Sequence, residues 1–428
     1  MLPALPALLG LALIAGCTTP PPPETRTANE WGEYLLWRPA GETRGLILRL
    51  GEHLPAEAPR ELLGQGLAVA DIDAVEYLRR AQALPAVEGE CHYLAGAVQW
   101  TAQRIEHDLG LSGYRPPLLL GTGPGALLTL ILLEQAPQGV FAGALAEAYE
   151  NRPLHFARPL CPRSADGQAP LSTPPRPSAP WSVQTVATDR PEASATIRVL
   201  DSPQDVAREK QRLIDALDRR KEDALPVIEV ARAKMADRPL VIIYSGDGGW
   251  RDIDKQLADR LAQADYTVLG VDALRYFWTR REPRQVAGDL SRLLARHPDQ
   301  GRSVVLIGYS FGADILPAVY SALPEGDRER IRLLALLAPG LITDFEIHMS
   351  GWIGGRPDGQ QVLSVAKTAE TLPMDRVVCV YGLDEKESLC RETSMQDSER
   401  IGLPGGHHFD KDYAALAARL VQAIETRH

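Results

Sequence analysis

The chain has 428 residues, 45% of them hydrophobic and 6% aromatic, with a formal net charge of −10. That length accommodates two or three buried cores. The acidic balance excludes a nucleic-acid-binding face as the main function, and with it a nucleic-acid partner, while being compatible with a cationic substrate.

At the N-terminus, Leu5 to Ala15 is an apolar run too short for a stable spanning helix. It leads into Ile14-Ala15-Gly16-Cys17, which resembles a bacterial lipobox. Small residues there admit the backbone to a peptidase, and the Cys17 thiol would be acylated. Residues 1–16 therefore read as a lipoprotein signal peptide and 17–28 as a tether, extended by Pro20 to Pro23. Met1 to Gly10 contains no Lys or Arg, which departs from the usual positive start of such a signal. The expectation is a periplasm-facing lipoprotein of the cell envelope, held at a membrane surface by its lipid anchor. By resemblance to lipoprotein sorting, Thr18 favours the outer membrane. With Cys17 set aside, Cys91, Cys161, Cys379 and Cys390 remain, an even number that in an exported chain suggests disulfides. Cys379 and Cys390 bracket one loop and make the first pair; Cys91–Cys161 follows by elimination.

Beyond residue 28, strands alternate with helices, the pattern of a largely parallel sheet covered on both faces. The pattern occurs twice. Leu46 to Gly51 recurs as Val241 to Gly246, Val69 to Tyr77 as Val268 to Tyr276, and Leu118 to Ala126 as Leu306 to Ala313, the last in register at its glycines. The first copy, residues 29–222, has Gly123 where the second, residues 223–428, has Ser310. It offers Asp189 after a strand at Val183 to Ala187, yet no histidine follows, so the first domain is expected to be non-catalytic. Arg163 to Pro180 reads as an irregular surface loop, and Val206 to Glu222 as a closing helix.

In the second copy, the apolar strand from Val304 runs into Gly308-Tyr309-Ser310-Phe311-Gly312 and then a helix, expected to be amphipathic over Ile315 to Leu323. A Gly-x-Ser-x-Gly between strand and helix forces the serine hydroxyl out of a tight turn, with small neighbours leaving room for a carbonyl. The pentapeptide alone is short enough to arise by chance; the downstream partners give it weight. A serine nucleophile needs a base, a carboxylate to orient it, and donors for the oxyanion, in the chain order Ser, acid, His. The strand Arg376 to Tyr381 ends at Gly382-Leu383-Asp384-Glu385. Asp384 is preferred as the acid because it lies nearer the strand end, with Glu385 left open. Gly405-Gly406-His407-His408 supplies the base, His407 preferred, with His408 as a neighbouring or substrate contact. The oxyanion donors would be the Phe311 N–H and that of Asp247 or Gly248, in the glycine-rich stretch Ser245 to Trp250. Together these residues describe tandem α/β-hydrolase-like domains, mostly parallel sheets flanked by helices, the first copy degenerate.

Asp247, Asp252, Asp254, Asp272 and Asp314 gather on loops and helix starts around the same elements. Asp247 or Asp314 would recognise an ammonium group on the acyl part, while others cap helices. Tyr276, Phe277 and Trp278 would line an acyl or lipid pocket, with Trp250 as a further substrate contact. No spaced ligand set such as H-E-x-x-H is present and no phosphate-binding loop, so neither metal nor cofactor is expected.

Ser245-Gly246-Asp247-Gly248-Gly249-Trp250, Gly308 to Asp314, Gly382-Leu383-Asp384-Glu385 with its flanking cysteines, and Gly406-His407-His408-Phe409 with Asp412-Tyr413 resemble the bacterial virulence protein family VirJ and the C-terminal half of AcvB. The two-part layout is similar to AcvB, whose N-terminal half is a related copy without the serine. The resemblance implies a periplasm-facing serine hydrolase that removes aminoacyl groups from aminoacylated phosphatidylglycerol, the lysyl form above all. It also implies a link to type IV secretion, with secretion-system components as partners; the alternative to a hydrolase is a non-catalytic envelope adaptor of that machinery. An esterase or thioesterase of other specificity would share the same machinery.

Overall fold

The computed structural model describes residues 21–28, 31–87, 91–111, 113–161, 175–186, 190–217, 225–231, 238–250, 252–297, 302–348 and 362–427. Cys17 with the signal segment, Asp189, and most of the Arg163 to Pro180 loop lie outside them. Each half of the chain builds its own sheet. In the first half the strands are β1 (Glu24–Ala28), β2 (Gly32–Trp37), β3 (Gly45–Gly51), β4 (Leu67–Asp73), β5 (Leu118–Thr122), β6 (Gly143–Tyr149), β7 (Trp181–Thr185) and β8 (Ile197–Val199). They stand in the order β1-β2-β4-β3-β5-β6-β7-β8, parallel from β4 to β8 with β1 and β2 antiparallel.

The second half contributes β9 (Val227–Ala231), β10 (Leu240–Tyr244), β11 (Thr267–Val271), β12 (Val304–Tyr309), β13 (Ile331–Leu337), β14 (Ile342–Thr343), β15 (Leu363–Ser364), β16 (Val377–Gly382) and β17 (Glu399–Leu403). Its sheet runs β17-β16-β13-β12-β10-β11-β9, with β9 alone antiparallel, while β14 and β15 form a separate small ribbon. Strands β10 and β12 are buried at every position. Parallel strands covered on both faces have no solvent side, so they read as continuous apolar runs rather than alternating ones. Among the described residues no helix is long and apolar enough to cross a membrane.

The central four strands repeat, β4-β3-β5-β6 in one domain and β11-β10-β12-β13 in the other. Their registers define the correspondence: Leu48 pairs with Leu119 and Ala70, as Ile242 pairs with Leu306 and Leu269. Leu48 therefore corresponds to Ile242, one residue away from the match of Leu46 to Gly51 with Val241 to Gly246. Runs of interchangeable Leu, Ile and Val carry no register of their own; the neighbouring strands decide it. The other two matched segments keep their alignment. Asp73 and Asp272 fall on one position and do one job, accepting the N–H of Glu76 (2.9 Å) and of Arg275 (3.1 Å) at helix starts.

Several local expectations change. The tether ends before residue 28, because Glu24–Ala28 is a strand paired with β2 and anchored by Arg26, which bonds Asp108 at 2.7 Å. The strand expected from Val183 lies at Trp181–Thr185, and the closing helix at Pro203–Leu217. The helix after Ser310 spans Phe311–Ala322 and is buried on nearly every side. It is a central core helix rather than an amphipathic one, since it packs against both Pro283–Arg296 and Val365–Ala369 as well as the sheet. Its counterpart Pro124–Gln135 is enclosed in the same way.

The two elbows share one backbone. Gly123 has φ 57° and ψ −118°, Ser310 φ 51° and ψ −118°. Gly123 N–H donates to Glu147 O at 3.0 Å, as Ser310 N–H donates to Leu337 O at 2.9 Å. A Cβ at position 123 would meet nothing within 4 Å. Gly123→Ser is therefore expected to fold, at a strain cost of about 1–3 kcal/mol. It gains no reactivity, because the loops after β7 and β8 contain no histidine. The check is fluorophosphonate labelling of Gly123→Ser in a Ser310→Ala background; adduct at position 123 would refute the reading of the first elbow as inert.

Candidate active site

Ser310 occupies the single residue between β12 and its helix. A positive φ on a side chain with a Cβ is strained, and close packing imposes it here. A Cβ on Gly308 would lie 2.4 Å from Gly312 O, and one on Gly312 2.3 Å from Tyr244 O. The helix start thus presses on the backbone of the central strands, and the serine between the glycines is pushed out of the sheet edge.

The imidazole arrives from the loop after β17. Gly382, at the end of β16, is the contact that positions it: a Cβ there would meet Gly406 O at 2.2 Å. Pairing continues past the strands, with Leu383 N–H donating to Leu403 O (2.8 Å) and Asp384 N–H to Gly405 O (2.9 Å). Beyond this zipped segment His407 Nε2 stands 2.9 Å from Ser310 Oγ, and Nδ1 stands 2.8 Å from Glu385 Oε1.

The structure puts Glu385, not Asp384, on the imidazole. Gly382 to Glu385 forms a tight turn, closed by Glu385 N–H to Gly382 O at 3.0 Å. The longer Glu385 side chain folds back over that turn, so that Oε2 accepts the Gly382 N–H at 2.9 Å while Oε1 meets His407. Asp384 is exposed at the turn's tip, where its backbone rather than its carboxylate is engaged. Sequence distance to the strand end was the wrong measure; the turn reverses it. The same geometry separates the histidines. His408 Nδ1 lies 2.9 Å from Tyr309 OH, leaving His407 alone on Ser310.

The disulfide Cys379–Cys390, with Cα atoms 5.5 Å apart, closes the loop that carries Glu385. A loop of this length contributes about 3 kcal/mol in the chain-entropy account. Cys91–Cys161 is the second bridge, as elimination suggested.

The glycine-rich loop passes directly over the elbow. A Cβ on Gly246 would lie 3.5 Å from Ser310 Cβ and 3.2 Å from the Tyr309 ring. Asp247 and Gly248 follow directly in this loop. Phe311 N–H opens the elbow helix, where the first-turn amides have no intrahelical acceptor and the dipole is positive. These groups can face a developing oxyanion. Asp272 lies behind the loop: its Oδ1 accepts the Arg275 N–H and would stand 3.1 Å from a Cβ on Gly249.

Three of the aromatics expected at the substrate are core residues instead. Trp250 is 1% exposed, its ring filling the space above Gly270, where a Cβ would meet it at 2.4 Å. Tyr276 is buried and its hydroxyl bonds Asp289, while Phe277 is enclosed in the core. These three rings fill volume in the core, the commoner fate of large aromatic side chains. Trp278 turns toward the first domain.

Asp247 and Asp314 do stand at the site. Asp314 Oδ1 accepts the Gly340 N–H at 2.6 Å. Burial pushes its carboxyl up to about 7, against the pull of that hydrogen bond and of His407, with the charges of Asp247 and Glu385 raising it further. For His407, burial disfavours the charged ring. The hydrogen bond and charge of Glu385, then the charges of Asp314 and Asp247, outweigh it and hold the imidazole above its ordinary 6.5. A base must be neutral to accept a proton, so the acid limb of kcat/KM should titrate above that value. Glu385→Gln removes the largest favourable contribution and should move the limb down. A pH–rate profile of both proteins on one ester checks this. Among the described residues no group of three or more His, Cys, Asp or Glu could hold a metal.

Residues 238–428 match the family model described as bacterial virulence protein (VirJ). The second domain matches the VirJ family. No curated protein matches the chain. Solved structures similar to this chain include the thioesterase domain from the curacin biosynthetic pathway, at 15% identity over 46% of this chain and 94% of that one, TM-score 0.33. Another is Est1E from Butyrivibrio proteoclasticus, at 13% identity over 46% and 94%, TM-score 0.34. A third is a lipase-esterase related protein from Clostridium acetobutylicum, at 14% identity over 46% and 98%, TM-score 0.33. The VirJ-family domain carries Ser310, Glu385 and His407 alike, and the first domain lies wholly outside the matched residues.

Proposed function

We propose that the VirJ-family domain is a serine ester hydrolase of the cell envelope acting on aminoacylated phosphatidylglycerol, with the lysyl ester as preferred substrate. The observation that carries the hydrolase reading is the unbroken hydrogen-bonded line from Ser310 through His407 to Glu385. Ser310 Oγ attacks the ester carbonyl carbon as His407 Nε2 takes its proton, and Glu385 stabilises the imidazolium. The tetrahedral oxyanion faces Phe311 N–H and the Asp247–Gly248 amides. Collapse expels the glycerol oxygen, which takes the proton from His407. Water, deprotonated by the same ring, then attacks the acyl carbon; collapse breaks the bond to Ser310 Oγ, which takes the proton back from His407 as the amino acid leaves.

The substrate class is supported by charge. Three carboxylates, of Asp247, Asp314 and Glu385, act electrostatically on the one imidazole. An acyl group carrying an ammonium would enter a field already negative, and would itself favour ionisation of Asp314. A lipid anchor at Cys17 would hold the site near such a lipid, at the periplasmic face of the outer membrane.

The test incubates purified protein with vesicles containing lysyl-phosphatidylglycerol and follows free lysine, alongside p-nitrophenyl butyrate and a fluorophosphonate probe. Lysine release with labelling at Ser310 is the expected result. Labelling and cleavage of the neutral ester without lysine release would make it an esterase or thioesterase of other specificity. No labelling at all would leave the adaptor role in secretion.

A further inference from the structure

We propose that the first domain, which has lost its own nucleophile, is a positioning element for the second, gripping the segment Arg275 to Trp278 and through it the groups that face the oxyanion. The proposal rests on Ser310 being the nucleophile. The segment follows β11, and one side of it is tied to the oxyanion elements. Ala273 N–H donates to Ser245 Oγ at 2.9 Å, at the root of the glycine loop. Asp272 Oδ1 accepts the N–H of Arg275 at 3.1 Å and stands 3.1 Å from where a Cβ of Gly249 would be. Phe277 packs edge-on against Phe311, ring centroids 5.0 Å apart, and Phe311 supplies the first amide of the elbow helix.

The other side of the same short segment meets the first domain. Trp278 Nε1–H donates to Leu111 O at 2.9 Å, and its ring lies 5.7 Å from that of Tyr114 and 6.0 Å from that of His107. Arg275 donates to Gly139 O at 3.4 Å, its guanidinium 2.7 Å from where a Gly139 Cβ would stand. Tyr114 is itself buried, its hydroxyl donating to Val140 O at 3.4 Å. The aromatic docking and the backbone bonds thus act on the loop and helix start that bear the oxyanion donors, whereas Glu385 and His407 are set by β16 and β17. Donors of this kind act only when aimed, and a misplacement near 1 Å costs up to about 10²-fold in rate.

The experiment uses the full chain with Trp278→Ala, Trp278→Phe and Tyr114→Leu, the last changing only the first domain's side. It measures kcat and KM on p-nitrophenyl butyrate, and the affinity of an arylboronic acid, whose tetrahedral serine adduct occupies the oxyanion position. Trp278→Ala and Tyr114→Leu should each lower kcat about tenfold with KM within about twofold, and weaken the boronic acid in proportion. Trp278→Phe keeps the ring contacts and should recover most of the loss. If Trp278→Ala does not fold, Tyr114→Leu decides. Wild-type kcat and boronic-acid affinity in a folded alanine or leucine variant, or a rise in KM in place of the fall in kcat, overturn the proposal. Failure of the wild-type chain to label at Ser310 would instead sink the nucleophile assignment on which it stands.

Discussion

Ser310→Ala is expected to take up no fluorophosphonate and to lower kcat on p-nitrophenyl butyrate by at least about 10³-fold, because the hydroxyl it removes is the group that meets His407 Nε2, at 2.9 Å. The fold should be unaffected, since alanine keeps the Cβ and its crowding. Ser310→Gly makes a sharper companion. At φ 51° and ψ −118° a Cβ is strained, and the first copy holds the same conformation with Gly123. The glycine variant should therefore be equally inactive yet more stable than wild type by about 1 kcal/mol, read as a shift in urea midpoint. A serine retained at a position where glycine would be more stable is kept for its hydroxyl. If both variants hydrolysed the ester at the wild-type rate, the line from Ser310 to Glu385 would be a structural hydrogen bond only.

The parts of this site legible in the sequence are those fixed by backbone sterics. Gly308 and Gly312 announce an elbow because no side chain fits between helix start and central strand, and that constraint is local. The duplicated layout was readable for the same reason at Gly121, Gly123 and Gly125. What could not be read depends on where a turn sends the chain. Asp384 and Glu385 differ by one position, and only the tight turn after Gly382 shows that the farther residue reaches the imidazole. Trp250 and Tyr276 resemble ligand-facing aromatics in a list of residues; their burial against Gly270 and beside Asp289 is a property of the packed sheet. The docking of Trp278 on Leu111 pairs residues 167 apart, with a backbone carbonyl as acceptor, and no sequence pattern encodes that.

Glu385→Gln is expected to lower kcat by about 10²- to 10⁴-fold, whereas Asp384→Asn should leave it within about twofold. The asymmetry follows from how each carboxylate is used. Glu385 divides its oxygens between Gly382 N–H at 2.9 Å and His407 Nδ1 at 2.8 Å. Glutamine has one acceptor oxygen and one donor nitrogen at the same reach. With the oxygen on Gly382 N–H, the amide nitrogen faces Nδ1 and donates to it. The imidazole must then carry its proton on Nε2, the atom that has to accept the one from Ser310, and the base is switched off by tautomer alone. Turning the amide over restores Nδ1–H but sets its nitrogen against the Gly382 N–H and still forfeits the negative charge that holds imidazolium. Asp384 faces no such choice, its side chain being exposed and its N–H, kept in asparagine, bonding Gly405 O. Steady-state kinetics on the two purified variants decide between the neighbouring acids. A collapse in Asp384→Asn with activity retained in Glu385→Gln would require the turn after Gly382 to rearrange in the working enzyme.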